Sequence, residues 1–202
     1  MSIYIYGAGG HGKVVFHTFI SSGQKVTAFI DDNVHGSLYG LPVLRPCDAQ
    51  IFSSHSLHFA IGSNRARQQL QIKWQQLGIP VETAIHPHAI LYPTAKFGDG
   101  CLITAGSIIG PDAIIGDGCI INHNAVVDHD CVVGEFSHIA PSATLGGGVT
   151  LGTECLVGAG AQILPWLTIG NNVTIGAGAV VTRNVLDGAT VVGCPAKPIK
   201  RV

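Results

Sequence analysis

From Leu91 to Leu186 the chain can be cut into sixteen consecutive hexads without an insertion, among them ITAGSI, IGPDAI, IGDGCI and VGAGAQ. Position one is Leu, Ile, Val or Phe in all sixteen, and position two is Gly in nine. This period predicts a solenoid in which each hexad is a short strand plus a turn and three hexads close one triangular coil. The position-one side chain points inward and stacks on its counterparts above and below. The small residue at position two allows a bend at the corner, where a Cβ would clash. One coil cannot bury its own apolar face, so several must stack, and sixteen hexads make about five coils. Cys101, Cys119, Cys131 and Cys155 all fall at position five. They read as small buried residues rather than as a disulfide or metal set.

The first eighty residues carry a different pattern. Ser2 to Tyr6 has strand composition and runs into Gly7-Ala8-Gly9-Gly10-His11-Gly12. Val15 and Phe19 are four apart, as one helix face requires, and Gly23 ends that helix. Val26 to Ile30 reads as a second strand with Asp31 and Asp32 at its carboxyl end, and Phe59 to Gly62 as another. Asn64 is placed to cap a helix through Gly78, with Leu70, Trp74 and Leu77 on one side. Alternating strands and helices predict a small parallel, Rossmann-like α/β sheet. The expected organisation is therefore an α/β domain over 1–83 and a parallel β-helix with a C-terminal tail over 84–202.

Gly7, Gly9 and Gly12 fit G-x-G-x-x-G between a strand and a helix, with an acidic pair about twenty residues on. Such glycines allow close backbone approach, and a helix N-terminus favours phosphate. A nucleotide-sugar, an NAD(P) cofactor and a purely structural glycine turn all fit the motif, although about 80 residues is short for a full dinucleotide fold. Net charge is −1 with histidines neutral, and the basic residues form no strip. That argues against nucleic acid as the main partner. No apolar run approaches the roughly 20 residues that span a bilayer. The opening MSIYIYGAGG reads as a strand rather than a signal peptide, so a cytoplasmic protein is expected. No CxxC pair occurs, and no metal is expected.

The stretches YIYGAGGHGKV, FIDD, AIGSN, VDHDCVVGEFSHIAP and VGCPAKPI together resemble one family. It comprises the UDP-4-amino-sugar N-acetyltransferases of the bacillosamine pathway and their relatives, the sialic acid O-acetyltransferases, within the hexapeptide-repeat acyltransferases. The resemblance covers essentially the whole chain and implies a left-handed β-helix, a handedness that the periodicity does not supply. It implies acetyl-CoA as co-substrate, a UDP-amino-sugar as acceptor, and self-association as a homotrimer with sites between subunits. It implies His129 as general base and Asp130 as the residue that raises its basicity. Sugar-nucleotide contacts map to Gly9, Gly10, His11, Asp31, Asp32 and Gly62. Acetyl-CoA contacts map to His138, Ala159 and Ala177.

The chemistry is consistent. An amine attacking a thioester must lose a proton, and an imidazole with a pKa near neutrality suits that task. A neighbouring carboxylate orients the ring. The oxyanion needs a donor, such as a backbone N–H in Gly146-Gly147-Gly148. Lys197, Lys200 and Arg201 form a basic tail that is suited to CoA phosphates or is simply solvated. Three rival readings stay open: O-acetylation of a sialic acid, a zinc hydratase using His123, His129 and His138 across an interface, and a non-catalytic sugar-nucleotide scaffold. Trp166, after Pro165, reads as a corner or subunit contact.

Overall fold

A computed structural model describes residues 2–46 and 55–199. Cys47, Lys200 and Arg201 lie outside the described residues. In the first unit, β1 (Ser2–Tyr6), β2 (Val26–Ile30), β4 (Leu41–Leu44) and β5 (His55–Phe59) run parallel. A short β3 (Gly36–Leu38) pairs antiparallel with β4, giving the order β3-β4-β2-β1-β5. Side chains alternate across β1, as strand geometry requires. Ile3 and Ile5 pack with Val15 and Phe19 of α1 (Gly10–Ser21), whereas Tyr4 and Tyr6 join Trp74 of α2 (Asn64–Gln76) on the other face.

Three expectations shift here. The third predicted strand lies at His55–Phe59, so Ala60 to Gly62 form the loop that follows it. Ser63, not Asn64, caps α2, its hydroxyl accepting from the Ala66 N–H. Leu77 is exposed at the helix end, and the buried residues of α2 are Arg67, Gln71 and Trp74. The β3–β4 hairpin, turning through Tyr39 and Gly40 with positive φ, had no expectation attached to it.

The second unit is a left-handed parallel β-helix of two-residue strands in three sheets. The first sheet begins at Ala84–Ile85, the second at Ile90–Leu91 and the third at Lys96–Phe97. Successive strands in each pair eighteen residues apart, as Ile108 with Val126 and Ile120 with His138. Position-one residues from Ile103 to Val181 are all buried; Leu91 and Phe97, in the first coil, are not. Position five is also inward. The Cys101, Cys119 and Cys131 thiols each donate to the carbonyl of the position-two glycine in the next coil, at 3.2 Å. These thiols are free, and burial raises their pKa.

The bend expected at position two belongs to position four. Fourteen position-four residues adopt positive φ, including Asp112, Asn124, Asp130, Phe136 and Trp166. Position-two glycines instead permit close stacking. A Cβ on Gly110 would meet the His129 backbone nitrogen at 2.7 Å.

The first unit sits on the outer face of the first sheet, where Ala84, Leu102 and Ile120 join the Ile3–Phe19 core. Among the described residues no helix is long and apolar enough to cross a membrane.

Candidate functional site

His129 occupies the turn between Val126–Val127 of the second sheet and Val132–Val133 of the third. Position three faces outward, and its side chain is 49 % exposed. Its Nδ1 lies 2.7 Å from Oδ2 of Asp130. Asp130 reaches it because position four takes φ 58°, the left-handed turn of the coil. The hydrogen bond from Nδ1 to the Asp130 carboxylate raises the imidazole pKa, desolvation opposes it, and the charges of Asp128 and Asp130 add to the rise. With Nδ1 held by the carboxylate, Nε2 is the atom left to accept a proton.

The triple glycine one coil further accommodates this corner. A Cβ on Gly146 would meet the Pro165 ring at 2.9 Å, one on Gly147 would fall on the His129 imidazole, and one on Gly148 on the Trp166 indole. Gly146 N–H donates to Ile163 O and Gly148 N–H to His129 O. Among the described residues no hydrogen bond takes up the N–H of Gly147, nor those of Ala159 and Ala177. Ala159 and Ala177 are exposed at turns between the first and second sheets, a different edge of the triangle from His129.

His138 is not beside His129 within one chain. It lies on the outer face of the first sheet, its Nε2 3.1 Å from Nδ2 of Asn122. Burial, then the charges of Arg67 and His11, lower its pKa to about 4. His11, at the start of α1, is also lowered to about 4 by burial, Arg67 and His123, and its Nε2 is buried without a partner. His11, His123 and His138 thus form one neighbourhood where the two units meet, and His129 lies outside it. Lys197 is exposed in the final antiparallel strand. Among the described residues no group of three metal-ligating side chains gathers.

The glycine loop separates into fold-driven and unexplained positions. Gly7 has φ 112°, and a Cβ on Gly12 would strike the Gly7 carbonyl, so the strand-to-helix turn itself requires both. Around Gly9, Gly10 and Gly62 nothing lies within 4 Å of a Cβ, and no contact within the chain asks for glycine there. The α1 N-terminus has no side-chain cap, which leaves N–H donors for an anion. Asp31 is already committed: its oxygens accept from the N–H groups of Ala8, Asn33 and Val34. Burial raises its pKa, but these donors outweigh burial and lower it overall. Asp32 accepts one hydrogen bond, from Tyr6, and is otherwise exposed.

Residues 2–74 match the PglD N-terminal domain, and residues 94–129, 112–147 and 148–183 match the bacterial transferase hexapeptide repeat. The acetyltransferase domain of PglB from Neisseria gonorrhoeae, solved with acetyl coenzyme A, is 38% identical, with 98% of each chain covered and a TM-score of 0.94. A variant of perosamine N-acetyltransferase from Caulobacter crescentus, solved with CoA and GDP-perosamine, is 38% identical over 100% of this chain and 98% of that one, with a TM-score of 0.97. WeeI from Acinetobacter baumannii is 28% identical over 98% of this chain and 100% of its own, with a TM-score of 0.79. The chain belongs to the hexapeptide-repeat acyltransferases.

One residue of this acyltransferase was not found by reading its sequence. Arg67 is 1 % exposed and meets no carboxylate. Its guanidinium donates to Gly118 O at 2.7 Å, Ile61 O at 2.8 Å, and Asn64 Oδ1 and Phe136 O at 2.9 Å. Among the described residues the position-four carbonyls of the coil accept no backbone hydrogen bond. At open corners such carbonyls face solvent. At Gly118 and Phe136 the first unit excludes water, and a forked cation takes its place. Arg67 thereby fastens the Ile61–Asn64 loop, with Gly62 on it, to the coil.

Proposed function

We propose that this chain transfers the acetyl group of acetyl-CoA to the 4-amino group of a UDP-linked 4-amino-4,6-dideoxy sugar by direct attack. His129 is the general base and Asp130 its orienting partner. The observation that carries this reading is the 2.7 Å contact between them, on an exposed corner with Nε2 left over. The amine attacks the thioester carbonyl, the ammonium proton passes to Nε2, and as the C–S bond breaks the imidazolium returns that proton to the sulfur, so that CoA leaves as the thiol. The free N–H of Gly147 is the donor assigned to the oxyanion.

Gly9, Gly10, His11, Asp32 and Gly62 hold the sugar nucleotide over the uncapped α1 N-terminus, with Asp31 shaping the loop. His138, Ala159, Ala177 and Lys197 hold the donor. His138 sits beside His11 on the first sheet, whereas Ala159 and Ala177 lie at one edge of the coil and His129 at another. In this reading a three-fold assembly sets the edge of one subunit against another edge of its neighbour and so brings them together. In this reading units 1–83 and 84–202 carry acceptor and donor chemistry respectively, and the reaction runs in the cytoplasm, where acyl-CoA is made.

The relative solved with GDP-perosamine keeps the nucleotide open as a second reading. The test is a panel followed by thiol release and product mass: UDP-4-amino-sugars, GDP-perosamine, CMP-sialate and free sialate. Turnover confined to UDP-amino-sugars supports the proposal. Turnover confined to GDP-perosamine replaces the nucleotide, and turnover confined to sialates replaces the acceptor.

A further inference from the structure

Trp166 is the one tryptophan in the corner row that holds His129. It is 70 % exposed and takes φ 62°, a conformation that disfavours bulky side chains. The other positive-φ positions of the coil hold Gly, Asn, Asp, Ser or Glu, with a single further aromatic, Phe136. Phe136 is buried at 3 % under the first unit, so packing offsets its strain. Trp166 has no such burial. Its indole lies over Gly148 and edge-on to His129, with ring centroids 6.4 Å apart, and Leu164 is exposed two residues before it. A large apolar face is thus held beside the base and left uncovered.

Its level along the coil axis identifies what covers it. The start of α1 faces the early coils: His11 feels His123, and Lys13 and His17 line a 270 Å³ cleft with His86, Ala105 and His123. The Ile61–Asn64 loop reaches further along the coil, Asn64 Nδ2 donating to Cys155 O at 2.9 Å, so His129 lies within the levels that the first unit touches, and Trp166, two coils beyond His129, stands past them. A symmetry axis parallel to the coil leaves these levels unchanged, so the order holds even where the two units come from different subunits. An acceptor anchored at α1 reaches the base from one side, and the thioester donor occupies the other.

We propose that Trp166 is the donor-side wall of the acyl-transfer site, its indole packing against the thioester-proximal pantetheine arm of the acyl-CoA. This rests on the acyl-transfer reading above. Covering about half of an indole is worth more than one decade in affinity.

The decisive variants keep the turn. Trp166→Asn places at this corner a residue that the same position already holds at Asn124 and Asn172, and Trp166→Phe retains an aromatic face. In Trp166→Asn the KM for acetyl-CoA is expected to rise about tenfold or more, with the KM for the sugar nucleotide and the sedimentation coefficient unchanged. Trp166→Phe is expected to restore most of the loss. Titrating CoA without acceptor is expected to change the exposed indole emission in the wild type and not in Trp166→Phe, where Trp74 is the remaining tryptophan. A rise in the acceptor KM alone, or dissociation of the assembly, would overturn the proposal and leave acyl transfer standing. A wild type that binds no acyl-CoA would overturn both.

Discussion

Replacing Arg67 by Met removes a buried cation from the contact between the two units. Four acceptors lose their donor: the carbonyls of Ile61, Gly118 and Phe136, and Oδ1 of Asn64. None of the three carbonyls accepts a backbone N–H among the described residues. An unsatisfied buried acceptor costs about 1–3 kcal/mol. Part of that sum is offset, because the guanidinium no longer has to be desolvated, a cost visible in its pKa being lowered to about 10 by burial. The net expectation is a loss of about 3–5 kcal/mol, the four unsatisfied neutral acceptors at the low end of that cost being partly offset by the relieved desolvation. Arg67→Lys keeps the charge but not the fork, and should fall between. The assay is urea unfolding followed through Trp74, the tryptophan on α2, in a Trp166→Phe background. Freeing the Ile61–Asn64 loop should also raise the KM for the sugar nucleotide more than that for acetyl-CoA. An Arg67→Met protein that unfolds at the wild-type urea concentration, or above it, would refute the argument that the guanidinium satisfies these carbonyls.

Three further outcomes follow from the same geometry. His58, fully buried with Nδ1 2.9 Å from Glu82 O, is lowered to about 4 by burial, as are His11 and His138. An unfolded chain takes up these protons first, so the stabilisation is complete above pH 6.5 and is lost as pH falls through 4. For His58 alone this is about 3 kcal/mol, and a melting temperature that stays flat between pH 7 and 4 would contradict it. Asp130→Asn removes the main cause of the raised His129 pKa, so the acid limb of kcat/KM should move to lower pH while the plateau falls about tenfold or more; a pH–rate profile checks both. Gly147→Ala puts a methyl where the imidazole lies, and should lower kcat about a hundredfold with an unchanged circular dichroism spectrum.

The coil was legible because its core is written at a fixed period: Ile103, Ile109 and Ile115 are inward for one local reason, repeated. The pairing of His129 with Asp130 was legible because the two are adjacent in the chain and the turn does the rest. The position-two glycines were only half legible. Spacing showed that Gly110 sits at position two, but not that a coil eighteen residues away presses on it, whereas the left-handed bend belongs to position four. Leu77 looked like part of an apolar helix face, yet the helix ends there and the side chain points to solvent. Arg67 could not be found by pattern at all. Two of its partners are carbonyls 51 and 69 residues further along, and a carbonyl carries no residue type to recognise. Separating the glycines that the fold needs, Gly7 and Gly12, from those it does not, Gly9, Gly10 and Gly62, required the surrounding atoms.

The most direct test of the account is the rate of thiol release from acetyl-CoA by His129→Gln at saturating sugar nucleotide, across pH 6 to 9. The account predicts a loss of about a hundredfold or more in kcat, with both KM values within a few-fold of wild type and no remaining acid limb. Turnover at the wild-type rate, with the wild-type pH dependence, would show that another group takes the proton.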